Sequence, residues 1–77
     1  MNEKISPKAL AKLAGKHPDE LVSLSLRITT PLTQEQIDLL TGWGGVLLYD
    51  SGIMAIVAMP ASRAEELAEW ESVQEII

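Results

Sequence analysis

The chain contains no cysteine and no phenylalanine, a single histidine, and three aromatic residues in all: Trp43, Tyr49 and Trp70. Without cysteine there is no disulfide framework and no thiolate metal site. The lone His17 stands beside Pro18 in a connector. A zinc centre needs three or four convergent ligands, and a catalytic nucleophile needs a nearby base, so His17 supplies neither chemistry. No apolar run approaches the roughly 20 residues of a membrane span. The first twenty residues also lack the apolar stretch of a secretory leader. The sequence therefore reads as a soluble, cytoplasmic chain without a cofactor, or as a piece of a larger secreted precursor.

Cations are scarce over most of the chain. Residues 1–20 carry Lys4, Lys8, Lys12 and Lys16 against Glu3, Asp19 and Glu20. Residues 21–77 carry only Arg27 and Arg63 against eight carboxylates, and the whole chain has a net charge of −5. So acidic a body repels phosphates, which argues against nucleic acid as a partner. At 77 residues the chain holds one domain, whose small core leaves only a few kcal/mol of net stability.

What is present is an order of patterns. Ser6-Pro7 opens a short helix, with Ser as N-cap and Pro at the first helical position. Ala9, Leu10, Leu13 and Ala14 form its apolar side, and Gly15 ends it. Its lysines do not make it a membrane-surface helix, because it is too short and has only two leucines. Residues 16–20 connect. Val22, Leu24, Leu26 and Ile28 then alternate with Ser23, Ser25 and Arg27, the signature of a strand buried on one face.

Thr33 and Gln36 are spaced as a capping box, with Leu32 and Ile37 as the hydrophobic staple around it. Ile37, Leu40 and Trp43 supply the inward stripe of that second helix. Gly42-Trp43-Gly44-Gly45 ends it. A phosphate-cradling glycine loop must lead into a helix N-terminus; this one leaves a helix, so it is a stop signal. Val46–Tyr49 and Ile53–Met59 read as strands joined by a turn at Asp50-Ser51-Gly52. After Pro60, Ser62 and Glu65 are spaced as a second capping box. Ala64, Leu67, Ala68 and Trp70 face inward on the third helix, while Glu65, Glu66, Glu69 and Glu71 face water. Val73–Ile77 is the closing strand.

From Leu21 onward the order is strand, helix, strand, strand, helix, strand. That order predicts an α+β ferredoxin-like βαββαβ plait: an antiparallel four-stranded sheet with both long helices on one face. A short N-terminal helix precedes it. Residues 1–20 form helix and connector, and residues 21–77 form the plait. The first and third strands are central. The open face of the sheet then presents Ser23, Ser25, Arg27, Met54, Ile56 and Ala58.

Plaits host many functions, and most leave marks that are missing here. RNA-binding plaits stack bases on aromatics of the two central strands, and none of the six open-face residues is aromatic. Copper-carrying plaits need paired cysteines. An acylphosphatase-like plait needs an arginine in an anion loop after the first strand, where this chain has Thr29-Thr30-Pro31-Leu32. The carboxylates Glu65 and Glu66 lie on an exposed helix face, not in a cleft that would perturb one of them. The expectation is a non-enzymatic domain whose half-polar, half-apolar face is covered by another molecule.

The residues also resemble a known family. Thr33-Gln34-Glu35-Gln36-Ile37 followed by Gly44-Gly45 and a strand is similar to the first half of the prosegments of subtilisin-like serine proteases. Ile53–Pro60 resembles their small-residue third strand. Leu67 with Ser72-Val73-Gln74-Glu75-Ile76 resembles their closing helix and strand. Ile5–Leu10 and Pro18-Asp19-Glu20 resemble the lead-in of some bacterial members. The family comprises prosegments, which act as intramolecular chaperones and inhibitors, and free-standing inhibitors. The resemblance implies that the open face docks on a subtilisin-like protease, in cis or in trans, through Ser23, Ser25, Arg27, Met54, Ile56 and Ala58. It further implies a cleft-blocking tail beginning at Glu75-Ile76-Ile77. Family members extend several residues beyond the last strand, and this chain ends at Ile77.

Two other readings fit the same order of elements. One is a homo-oligomerising or adaptor plait that pairs through a sheet edge or face. The other is an amino-acid-binding regulatory domain of the ACT type. The second requires accessible backbone after the first strand, where Thr30-Pro31 has no glycine and one amide fewer.

Overall fold

The computed structural model describes residues 3–77, so the first two residues of the 1–20 segment lie outside it. Helix α1 spans Pro7–Leu13, strand β1 Leu21–Ile28, helix α2 Gln34–Gly42, strand β2 Val46–Asp50 and strand β3 Met54–Pro60. A 3₁₀ turn, Ala61–Arg63, runs into helix α3, Ala64–Ala68, and strand β4 spans Val73–Ile76. The strands form one antiparallel sheet in the order β2-β3-β1-β4, the strand order of a ferredoxin-like plait.

Alternation on β1 decides which face is inside. Val22, Leu24, Leu26 and Ile28 are all buried, and so are Ala55, Val57 and Met59 on β3 beside them. Leu40 of α2 and Ala64, Leu67 and Ala68 of α3 close over this row in the same cluster. Both helices therefore lie on one face. Ile5 and Ala9 belong to that cluster too, so the N-terminal segment and the plait share one core.

The local signals behave largely as their chemistry dictates. Ser6 Oγ accepts from the Ala9 amide, with Pro7 at the first helical position. Ala14, expected on the apolar side of α1, is its exposed C-cap, and Gly15 follows at φ +79°. On α2 the capping box is complete: Thr33 Oγ1 accepts from the Gln36 amide, and Gln36 Oε1 accepts from the Thr33 amide. At its other end Gly44 sits at φ +86°. The Gly44 amide donates to Thr41 O and the Gly45 amide to Leu40 O, a Schellman stop.

The second capping box does not form. Neither the 3₁₀ turn nor α3 has a side-chain cap. The Ala61 amide donates instead to Glu20 O at 2.9 Å and the Ser62 amide to Pro18 O at 3.0 Å. The connector of residues 16–20 thus takes the Ser62 amide, the donor that the Glu65 side chain would hold in a capping box. Ile53 likewise falls outside β3 and is 71% exposed. The turn there is organised by Asp50, whose Oδ1 accepts from the Gly52 amide at 2.8 Å and whose Oδ2 accepts from the Leu32 amide at 3.0 Å. One carboxylate ties the β2–β3 turn to the β1–α2 loop.

The edges of the sheet are managed differently. Beyond β4, residues 4–6 add a parallel bridge: the Ser6 amide donates to Ile76 O and the Ile76 amide to Lys4 O. Where β4 no longer flanks the start of β1, α1 takes its place, and Lys12 Nζ donates to Ser23 O. Among the described residues no strand neighbours the β2 edge.

Gly45 and Gly42 make a matched test of these contacts. A Cβ on Gly45 would lie 2.7 Å from Ala58 O and 2.9 Å from Leu40 Cδ1, whereas one on Gly42 meets nothing within 4 Å. Gly45→Ala is expected to destabilise the fold by about 1–3 kcal/mol through overpacking. Gly42→Ala, in the last helical turn, is expected to stabilise it by roughly 0.5–1 kcal/mol. Urea denaturation of the two variants reads both signs.

Candidate protein-binding face

The pairing of the strands builds the open face in rows. Val46 on β2 stands beside Ala58 on β3 and Ser23 on β1; Tyr49 stands beside Ile56 and Ser25; Met54 stands beside Arg27, which faces Glu75 on β4. Directly opposed side chains on one face lie about 4.5–5.5 Å apart, so each row is a continuous strip. The face is divided lengthwise. Toward the free β2 edge it is apolar: Val46, Tyr49, Ile56, Met54 and Ala58. Toward β4 it is polar: Ser23, Ser25, Arg27 and Glu75.

The six open-face residues expected from the sequence are thus brought together on one surface. Ser23, Arg27 and Met54 are exposed, with Met54 at 39%, and Ser25, Ile56 and Ala58 are half-buried. The chain's own helices cover the other face. Arg27 Nη1 lies 3.3 Å from Glu75 Oε1 in a solvent-exposed pair, which leaves the polar half close to neutral. Exposed pairs of this kind add about 0–1 kcal/mol and serve mainly to hold orientation.

The three residues expected to begin a tail behave otherwise, and this corrects the reading from resemblance. Glu75 is paired with Arg27 across β1 and β4. Ile76 is fully buried, opposite Leu26 on one side and bridged to Ile5 on the other. The Ile77 amide donates to Ser25 O at 2.8 Å. All three are held in the sheet, and Ile76 offers no surface to a partner.

Two residues of the face were missed in the sequence, Val46 and Tyr49, and Leu48 at the edge with them. Residues 46–49 are uniformly apolar, so alternation cannot assign their faces. The register shifts between Leu47 and Tyr49, which makes Leu48 the extra residue of a bulge and swings Tyr49 to the open side. Tyr49 is 54% exposed.

Among the described residues no group of three or more His, Asp or Glu side chains is placed to hold a metal ion, and no helix is long and apolar enough to cross a membrane. Compared with known family models, curated proteins and solved structures, the chain matches none of them. What the face can do follows from its own make-up. A surface of mixed apolar and polar residues suits docking of another protein's surface.

The two sides of the sheet make opposite predictions for truncation. Ile76→Ala is expected to cost about 2–5 kcal/mol, as for any large aliphatic lost from a packed core. Met54→Ala, on the bare side, is expected to stay within roughly 0.5 kcal/mol. Chemical denaturation distinguishes them, and comparable losses would contradict the assignment of sides.

Proposed function

We propose that this chain is a non-enzymatic protein-binding module, resembling the prosegment-type inhibitors and intramolecular chaperones of subtilisin-like serine proteases, that docks through its open sheet face. The observation that carries this reading is the bare face, with an apolar half ready to be desolvated and a polar half to fix orientation. Interfaces of this composition bury apolar residues centrally and keep ion pairs such as Arg27–Glu75 at the rim. Because Glu75, Ile76 and Ile77 are engaged within the sheet, the reading is docking by the face; those three residues do not reach into a cleft.

A second reading is favoured by one specific feature, the free β2 edge. Val46, Leu48 and Tyr49 are exposed along it and no lysine or proline lies within the strand; the bulge at Leu48 and the charge of Asp50 are what guard it. Such an edge suits a homo-oligomerising or adaptor plait that adds strands from another chain.

Mixing the purified chain with a panel of subtilisin-like proteases tests the first reading. The expected outcome is a stoichiometric complex with at least one enzyme. It should be weakened about tenfold or more by Ile56→Asp, which introduces a charge into the apolar half, and less by Arg27→Glu at the rim. No complex and no slowed hydrolysis across the panel would sink it. Sedimentation of the chain alone at several concentrations tests the second: a strict monomer argues against edge pairing.

A further inference from the structure

The open face is the part of the surface from which the chain's acidity is absent. Among the open-face side chains of the four strands only Arg27 and Glu75 are charged, and they pair. Asp50 stands opposite the buried Ala55 on the core side, its carboxylate held by the Leu32 and Gly52 amides. Glu35 and Asp38 lie on α2, and Glu65 and Glu66 on α3. Two copies of a chain with net charge −5 repel through most of their surface; on this face they can meet without opposing like charges.

We infer that in the free protein the open face is covered by the same face of a second copy, in a two-fold dimer packed sheet on sheet. The inference rests on the reading of this face as a protein-docking surface and names its occupant when no other partner is bound. The register places the axis. Ser25 pairs with Ile56, and the pairs Ser23–Ala58 and Arg27–Met54 lie two positions to either side. A two-fold axis running across the strands through Ser25 and Ile56 lays the apolar half on the apolar half and exchanges the two flanking rows. Met54 of one copy then meets Ala58 of the other, a long side chain over a short one, as facing sheets interdigitate.

The same exchange is complementary in charge. Glu75 stands beside Arg27 on the β4 side of β1, and Lys12 Nζ reaches Ser23 O on that side at the other end. The axis brings each Glu75 to the margin held by the other copy's Lys12, and it sends the two Arg27 side chains to opposite ends of the contact. The area also fits. Four strands about 4.8 Å apart, the central two 8 and 7 residues long at about 3.3 Å per residue, make a face of roughly 500 Å². Two such faces give about 1,000 Å², the lower limit for a specific interface, so the contact uses the whole face and the dimer is a weak one.

Sedimentation equilibrium of the full chain over a wide range of concentration tests this. The expected result is a reversible monomer–dimer equilibrium with a dissociation constant of about 1–100 µM. Because the axis passes through Ile56, Ile56→Asp sets two carboxylates face to face and Ile56→Lys two ammonium groups. Each should weaken the dimer about tenfold or more, and an equimolar mixture of the two variants should associate about tenfold more tightly than either alone. Met54→Glu, at an exposed position, should weaken the dimer about fivefold and carries the test if the Ile56 variants do not fold. Leu48→Lys, at the β2 edge, should leave it within about twofold of the parent. The inference is overturned if the chain is monomeric throughout, or if the mixture of Ile56 variants gains nothing. It is also overturned if Leu48→Lys abolishes the dimer while Met54→Glu leaves it intact, the signature of edge pairing. A monomeric chain that still forms a protease complex sensitive to Ile56→Asp overturns the dimer and leaves the docking reading in place.

Discussion

Burial of one row of aliphatic side chains on β1 is the constraint on which the rest of the molecule depends. Val22, Leu24, Leu26 and Ile28 point into a core shared with β3, α2, α3 and the N-terminal segment. Each such side chain contributes about 1.5–3 kcal/mol when removed from water. Because β1 is central, paired with β3 along its length and with β4 over part of it, it orients the whole sheet. A shift of one residue would turn that row to solvent and bring Ser23, Ser25 and Arg27 inside, a cost that a domain this small has no surplus to meet. The open face therefore has its identity by default: it is whatever the core does not claim.

The same constraint explains how the two surfaces of the molecule came to differ. The sheet face is nearly neutral, with its one ion pair at the rim and its apolar half against the free edge. The helical side concentrates carboxylates around a pair of indoles. A neutral, mixed face favours contact over an area, where desolvation of apolar groups dominates.

Helix initiation shows where local chemistry is enough and where it is overruled. Thr33 and Gln36 cap α2 reciprocally because both partners lie within one turn of chain, and nothing distant competes for the donors. Ser62 and Glu65 have the same spacing. There the connector carbonyls of Pro18 and Glu20 reach the first amides, and the chain tightens into a 3₁₀ turn without a side-chain cap. The Ser62 amide, which Glu65 would hold in a box, goes to Pro18 O instead, and only the structure shows it. The N-terminal segment plays a comparable part at β4, where residues 4–6 occupy an edge that would otherwise be open and bury Ile76 in doing so.

Sequence alone determined the features whose causes lie within a few residues: the period-two burial of β1, the Thr33 cap, the Gly44-Gly45 stop, and from their order the α+β plait with Ser23, Ser25, Arg27, Met54, Ile56 and Ala58 on one face. Only the tertiary structure decided features that rest on contacts between distant segments. The bulge at Leu48 turned Tyr49 onto the open face, although four consecutive apolar residues carry no alternation to reveal it. Pairing of Ile76 with both Leu26 and Ile5 made that residue of the supposed tail part of the core. Packing of α2 beside α3 brought Trp43 and Trp70, 27 positions apart in the chain, into one stack. Short-range preference is written in spacing; bulges, edge closure and inter-helix stacking arise when the chain minimises exposed apolar surface as a whole, and that minimum has no local signature.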